Sequence, residues 1–145
     1  MKAGIIGGTG KMGKLFVPVF ERAGYEVLVS GRSTPLTNAR LAKLCDIVIV
    51  SVPIHDTVRV IKEIAPVLTK DQLLCDFTSL KTLPVAAMLE SEASVIGLHP
   101  VFGPTVPSLR QQTIIVCPAR APEETLHSLL SLFSGARAGQ TMIVC

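Results

Sequence analysis

The chain has 145 residues, nearly half of them hydrophobic, with few aromatics, no tryptophan and a formal net charge of +3. That length suits one domain with a real aliphatic core and leaves little room for a second. The Lys and Arg residues are scattered without interleaved aromatics, which argues against a nucleic-acid surface, and no apolar run approaches the ~20 residues of a membrane span. The start, "MKAGIIGGTG", passes from Met1 into an apolar run without the pattern of a signal peptide. Cys45, Cys75, Cys117 and Cys145 are dispersed and never form a C-x-x-C pair. Buried, reduced thiols in a cytoplasmic protein without metal are therefore expected.

In chain order, "AGIIG" (3–7) predicts a first strand. It runs into Gly8-Thr9-Gly10-Lys11-Met12-Gly13, a G-x-G-x-x-G at the start of a predicted helix (11–24). There Gly8 would permit the tight turn, Gly10 would let backbone approach a pyrophosphate, and Gly13 would let helix and strand pack closely. The amides of the helix N-terminus would face the phosphates. The overlapping "GTGKMGKL" fails as a nucleoside-triphosphate loop, because Leu15 stands where a magnesium-binding hydroxyl is needed. Pro18 predicts a kink in this helix or a late start.

The second strand, "EVLVS" (26–30), ends in Ser30-Gly31-Arg32-Ser33. A carboxylate is expected at this point for NAD, to bind the adenosine ribose. Instead a guanidinium and two hydroxyls stand ready for a 2′-phosphate, so NADP is the expected cofactor, with NAD the alternative. The third strand, "DIVIVSV" (46–52), carries Ser51, Val52 and Pro53 to the carboxyl edge where open α/β sheets bind ligands. A helix over 55–68 follows. His55 is read as a helix-start residue, with Asp56 and Thr57 as the acidic and capping groups of its first turn.

"QLLCDF" (72–77) predicts the fourth strand and delivers Thr78, Ser79 and Lys81 to the same edge, ahead of a helix over 83–91. "SVIGL" (94–98) predicts the fifth and ends in His99, locked by Pro100 and, beyond Phe102-Gly103, by Pro104. Neighbouring parallel strands would bring Ser79 within reach of His99 and fix its tautomer. A Ser-His hydrolase is the rival chemistry, but the chain has no G-x-S-x-G elbow. "TIIVC" (113–117), a helix over 121–135 bounded by Pro122 and Gly135, and "TMIVC" (141–145) complete the pattern; His127 is read as a surface residue of that helix. Strands alternating with helices predict a single Rossmann-type α/β domain, doubly wound about a mainly parallel sheet.

Four stretches together, "GGTGKMGKLF", "DIVIVSVPIHDTV", "CDFTSLKTLPVAAML" and above all "GLHPVFGP", resemble the nucleotide-binding domain of the prephenate dehydrogenase family. The resemblance runs from Lys2 to about Gly135. It implies NAD(P)-dependent oxidative decarboxylation of prephenate to 4-hydroxyphenylpyruvate in tyrosine biosynthesis, with arogenate as the alternative substrate. It also implies that His99 accepts the proton of the ring hydroxyl, while Ser79 orients His99 and contacts that hydroxyl. Gly8–Gly13, Ser30–Ser33, Ser51–Pro53 and Thr78 would line the cofactor site.

Two departures stand beside the resemblance. The family has a helical C-terminal domain that dimerises and supplies an arginine for the substrate carboxylates, and residues 1–145 contain no such domain. A homodimer or a separate helical domain is the partner this implies. The turn after "FGP" reads Thr105-Val106-Pro107 where an acid is common, and Arg110, the nearest basic residue, is expected to face solvent. A stand-alone dinucleotide-binding or regulatory module is the reading from a different class. Length favours this module, whereas the retained His99/Ser79 pair favours the dehydrogenase, since a sensor needs no proton acceptor.

Overall fold

The computed structural model describes residues 1–143. The chain alternates β1 (Lys2–Ile6), α1 (Lys11–Arg22), β2 (Glu26–Ser30), α2 (Asn38–Leu44), β3 (Ile47–Val50) and α3 (Ile54–Ile64). After a 3₁₀ turn (Ala65–Val67) come β4 (Leu73–Asp76), α4 (Thr82–Met88), β5 (Ser94–Pro100), β6 (Thr113–Arg120), α5 (Glu123–Gly135) and β7 (Gln140–Ile143). The sheet runs β2-β1-β3-β4-β5-β6-β7. Every neighbouring pair is parallel except β5 and β6. The 101–112 connection explains the exception: it carries Pro104 and Pro107 and forms no helix, so it cannot make the helical crossover a parallel neighbour needs.

β1 pairs with β2 on one side and β3 on the other, so the winding reverses at β1. A doubly wound sheet opens its binding crevice at the carboxyl ends of such strands.

The strands are apolar throughout because both faces are covered. In β3 all four residues are buried: Ile47 and Ile49 pack with Phe16 and Phe20 of α1 and Phe133 of α5, whereas Val48 and Val50 pack with Leu41 of α2, Ile61 of α3 and Met88 of α4.

Helix α1 runs through Pro18 rather than starting after it. It ends in a Schellman closure: the Gly24 amide donates to Glu21 and the Tyr25 amide to Phe20, with Gly24 at φ +94°. Asp56 stands in the first turn of α3 as expected. Thr57 does not cap that helix, since its hydroxyl donates to the Pro53 carbonyl at 3.3 Å. Helix α2 has no counterpart among the predicted elements. Thr37 caps it by accepting the Arg40 amide at 3.3 Å. Cys45 and Cys75 are free and buried, but Cys117 is disulfide-bonded, against expectation. The last two residues of the predicted strand 141–145 lie outside the described residues. Among the described residues no helix is long and apolar enough to cross a membrane.

Candidate functional site

The turn between β1 and α1 is built by glycines, each for a different reason. Gly7 takes φ +83°, and a Cβ there would collide with the Ser51 carbonyl. The left-handed turn thus falls at Gly7, one residue ahead of the expected Gly8. A Cβ on Gly8 would strike Val29, and one on Gly13 would lie 2.6 Å from the Gly8 Cα. These two glycines let α1, β1 and β2 close on one another. Gly10 is the N-cap of α1 and offers no capping side chain, and no acid occupies the first turn. The first amides of α1, from Lys11 onward, therefore meet the crevice without a side-chain acceptor of the helix's own, the arrangement that suits a phosphate.

A cleft of about 490 Å³ opens over this turn. Thr9, Gly10, Gly31, Arg32, Ser33, Ser51, Val52 and Pro53, all anticipated, line it with Gly7, Asn38, Asp56 and Arg59. Thr34 stiffens the 31–36 loop by accepting the Gly31 amide at 2.9 Å and donating to the Leu36 carbonyl at 2.9 Å. Ser30 differs from expectation. It is fully buried, and its hydroxyl donates to Asn38 Oδ1 at 2.8 Å, so it supports the loop and offers the cleft nothing.

Arg32 is 90% exposed and lies 3.9 Å from Asp56. Arg59 donates to the same carboxylate at 3.1 Å, and His55 stands 3.6 Å away. The Arg59 hydrogen bond, helped by the charges of His55, Arg59 and Arg32, holds the Asp56 carboxyl below the usual aspartate range, against a smaller desolvation effect. No acid follows β2, but the fold brings one from α3. Two guanidiniums sharing one carboxylate leave a net positive rim.

A second cleft of about 300 Å³ continues from the first and shares Ser51 and Val52 with it. Met12, Val50, Ile54, Phe77, Thr78, Ser79, His99 and Pro100 complete its lining. β4 and β5 are adjacent and parallel, so Ser79 and His99 reach one cavity as the sequence suggests. No hydrogen bond joins them among the described residues. Thr78 is nearly buried, and its amide donates to Asp76 Oδ2 at 3.1 Å. Lys11 lines neither cleft. Arg110 is exposed, as expected, and shares a separate cleft with Arg22 and Arg137.

Beneath the second cleft lies a pair that sequence reasoning leaves unassigned. Asp76 is fully buried and accepts from Lys81 Nζ at 2.6 Å. Burial pushes the Lys81 ammonium below its ordinary value, opposed by the Asp76 charge and hydrogen bond. In the sequence Lys81 is visible only as a basic residue near the edge. Arg59 carries a fuller signal: it stands three residues after Asp56 on a helix whose start meets the crevice.

Known proteins bear on this geometry. The family profile "Prephenate dehydrogenase, nucleotide-binding domain" matches residues 28–141, a span that begins after the glycine turn. A "T-protein" of Haemophilus influenzae is 40% identical over 140 residues, covering 94% of this chain and 37% of that protein. A "Probable arogenate/prephenate dehydrogenase" of Methanocaldococcus jannaschii is 41% identical over 138 residues, covering 83% of this chain and 31% of that one. The chain thus spans about a third of the length of the curated relatives it matches. The crystal structure of Synechocystis arogenate dehydrogenase superposes with a TM-score of 0.83 at 17% identity, over 99% of this chain and 59% of the other, and speaks for the fold alone. With the profile match covering most of its length and relatives at this level of identity, the chain belongs to the prephenate dehydrogenase family, in the part that binds nucleotide.

Proposed function

We propose that this chain is the dinucleotide-binding part of a prephenate dehydrogenase that prefers NADP, with arogenate as the alternative substrate. The observation that carries the proposal is the continuity of the two clefts through Ser51 and Val52. One cleft has the glycine turn and uncapped helix start that a pyrophosphate fits, and the other has the imidazole and hydroxyls that a substrate hydroxyl fits. NADP, when bound, supplies a hydride acceptor at the nicotinamide ring.

The chain's own groups supply the cofactor contacts and the proton acceptor, but no clamp for the substrate carboxylates. The amides of the first turn of α1, from Lys11 onward, bind pyrophosphate without charge of their own, while the Gly10 amide closes the turn on the Gly7 carbonyl at 2.9 Å. Arg32, Ser33 and Arg59 take the 2′-phosphate at the positive rim, where a charged hydrogen bond contributes about 1.5–3 kcal/mol. Met12 and Val52 form an apolar wall that excludes water. His99 accepts the proton of the substrate's ring hydroxyl as hydride departs from the same carbon, work an imidazole can perform near neutral pH. Ser79 contacts that hydroxyl and orients His99 once substrate draws the two together. Pro100 ends β5 and, with Pro104, limits the freedom of the loop behind the imidazole.

The test is prephenate-dependent reduction of NADP by the chain with the family's helical domain supplied, compared with the same assay on His99→Asn. The variant is expected to keep its dinucleotide affinity and to lose about 10²–10⁴ in rate, the usual cost of removing a general base. A variant that retains the wild-type rate, or that loses dinucleotide binding to the same extent as rate, contradicts the assignment.

A further inference from the structure

β4 stops at Asp76 while β5 continues to Pro100. Their register ends at Asp76 opposite Gly97, so beyond Gly97 the β4 side of β5 has no strand to pair with. The direction of the next carbonyl follows from the antiparallel ladder on the other side. The Val101 amide donates to the Thr113 carbonyl, and pairs in such a ladder alternate between bonded and non-bonded. His99 opposite Ile115 is therefore a bonded pair, and Leu98 opposite Val116 is not. The Leu98 carbonyl turns toward the missing continuation of β4, where a buried acceptor requires a donor.

Lys81 is that donor: its Nζ bonds the Leu98 carbonyl at 2.7 Å while held by Asp76 at 2.6 Å. Its stem crosses Gly97, where an added Cβ would come within 3.0 Å of Lys81 Cδ. A side chain at 97 would crowd that path, with Val85 3.2 Å from the same Cβ. Asp76 uses its second oxygen on the Thr78 amide.

We infer that Lys81 is a positioning residue for the His99 cleft. With Asp76 it replaces the missing strand partner at the end of β4, fixing the peptide that carries His99 on one side and the Thr78–Ser79 turn on the other. The inference rests on the proposed role of that cleft for its functional meaning, but the geometry can be tested without any turnover. Removing Lys81 alone would strand a buried carboxylate and unfold the chain for a reason unrelated to positioning. Removing both charges avoids this, so Asp76→Asn/Lys81→Met is the informative variant. In it the amide oxygen at position 76 can still accept from the Thr78 amide, while the Leu98 carbonyl loses its donor.

The chain has three histidines, and their imidazole proton resonances provide an internal comparison. In the double variant the His99 signals are expected to shift and broaden, while those of His55 and His127 stay in place. Melting temperature is expected to fall by a few degrees, the cost of a buried carbonyl left without its donor, while the chain stays folded and dinucleotide affinity holds. If that variant does not fold, Asp76→Asn/Lys81→Gln, which keeps a neutral hydrogen-bonded pair too short to reach Leu98, is measured in the same way. An unchanged His99 signal in a folded double variant overturns the inference, as does an equal disturbance of all three histidines. Loss of turnover in His99→Asn bears on the catalytic reading alone, so the two can fail separately.

Discussion

Gly7→Ala and Gly24→Ala form a matched pair that isolates what the glycine turn does. Both residues have φ in the left-handed region, +83° and +94°, so an alanine at either costs about 1–2 kcal/mol in backbone strain. They differ in their surroundings. A Cβ at Gly24 has nothing within 4 Å, whereas one at Gly7 meets the Ser51 carbonyl and the Val52 side chain. That backbone cannot give way without parting β1 from β3 where the two clefts meet, and forced overpacking adds about 1–3 kcal/mol. The sums are about 2–5 kcal/mol for Gly7→Ala and 1–2 for Gly24→Ala, against a total stability of about 5–15 kcal/mol for a domain. With a urea m-value of about 2 kcal/mol/M, the midpoint falls by about 1–2.5 M in the first and 0.5–1 M in the second. Dinucleotide binding, followed by calorimetry, should be lost in Gly7→Ala and kept in Gly24→Ala. Equal midpoint losses, or a Gly7→Ala protein that binds as well as wild type, would refute the close-approach argument.

Arg32→Ala should narrow the preference for NADP over NAD. A charged contact of about 1.5–3 kcal/mol corresponds to roughly ten- to over a hundredfold in affinity, and the exposure of Arg32 places the effect toward the lower end; equal wild-type affinities would remove the basis for the preference. Asp56→Asn should strengthen NADP binding by freeing Arg32 and Arg59, measured by the same titration, and unchanged or weaker binding would contradict the shared-carboxylate reading. Because the folded state lowers the Asp56 pKa, its contribution to stability is present above the unfolded aspartate range and is lost as pH falls through the folded value. Wild type should therefore lose more stability than Asp56→Asn on acidification through that window, as urea titrations at stepped pH would show. Residues 1–145 alone should bind dinucleotide but turn over prephenate negligibly, since holding two carboxylates beside His99 is an orientation problem worth several kcal/mol and Arg110 lines a different cleft. Adding the family's helical domain in trans should restore activity, and robust turnover by the short chain would sink that prediction.

What can be read from the residues alone follows a physical line. Strands buried on both faces announce themselves by continuous apolarity, and β3 and β5 are such runs. The delivery of Ser51, Thr78, Ser79 and His99 to one edge follows from parallel order alone. Helix α2 escapes because seven residues, with Leu41 and Ala42 as its buried contacts, are too few to display a period, although Thr37 marks its cap. The turn is misplaced by one residue because the G-x-G-x-x-G spacing records which positions lack side chains and not which backbone has φ > 0. Ser30 looks available because a strand end does not reveal which way its last side chain points; the fold turns it inward to Asn38. Asp56 and Arg59 join the cofactor rim from another helix, marked in the sequence only by their i, i+3 spacing. Asp76 meets Lys81 across a turn, an encounter that leaves no local pattern. The antiparallel β6 is legible in principle, through Pro104 and Pro107 in a connection that contains no helix.

If one dinucleotide lies across both clefts, from the Arg32 rim to the His99 wall, its two ends must report a single binding event. Amide and imidazole chemical-shift mapping during an NADP titration of this chain shows whether they do. One saturable event is expected to move Gly7, Thr9, Gly10, Arg32, Ser51 and Val52 together with the His99 imidazole, and to leave Arg22, Arg110 and Arg137 still. Shifts confined to the Arg22, Arg110 and Arg137 cleft, or a saturated glycine turn with an unmoved His99, would contradict a dinucleotide that spans the two clefts.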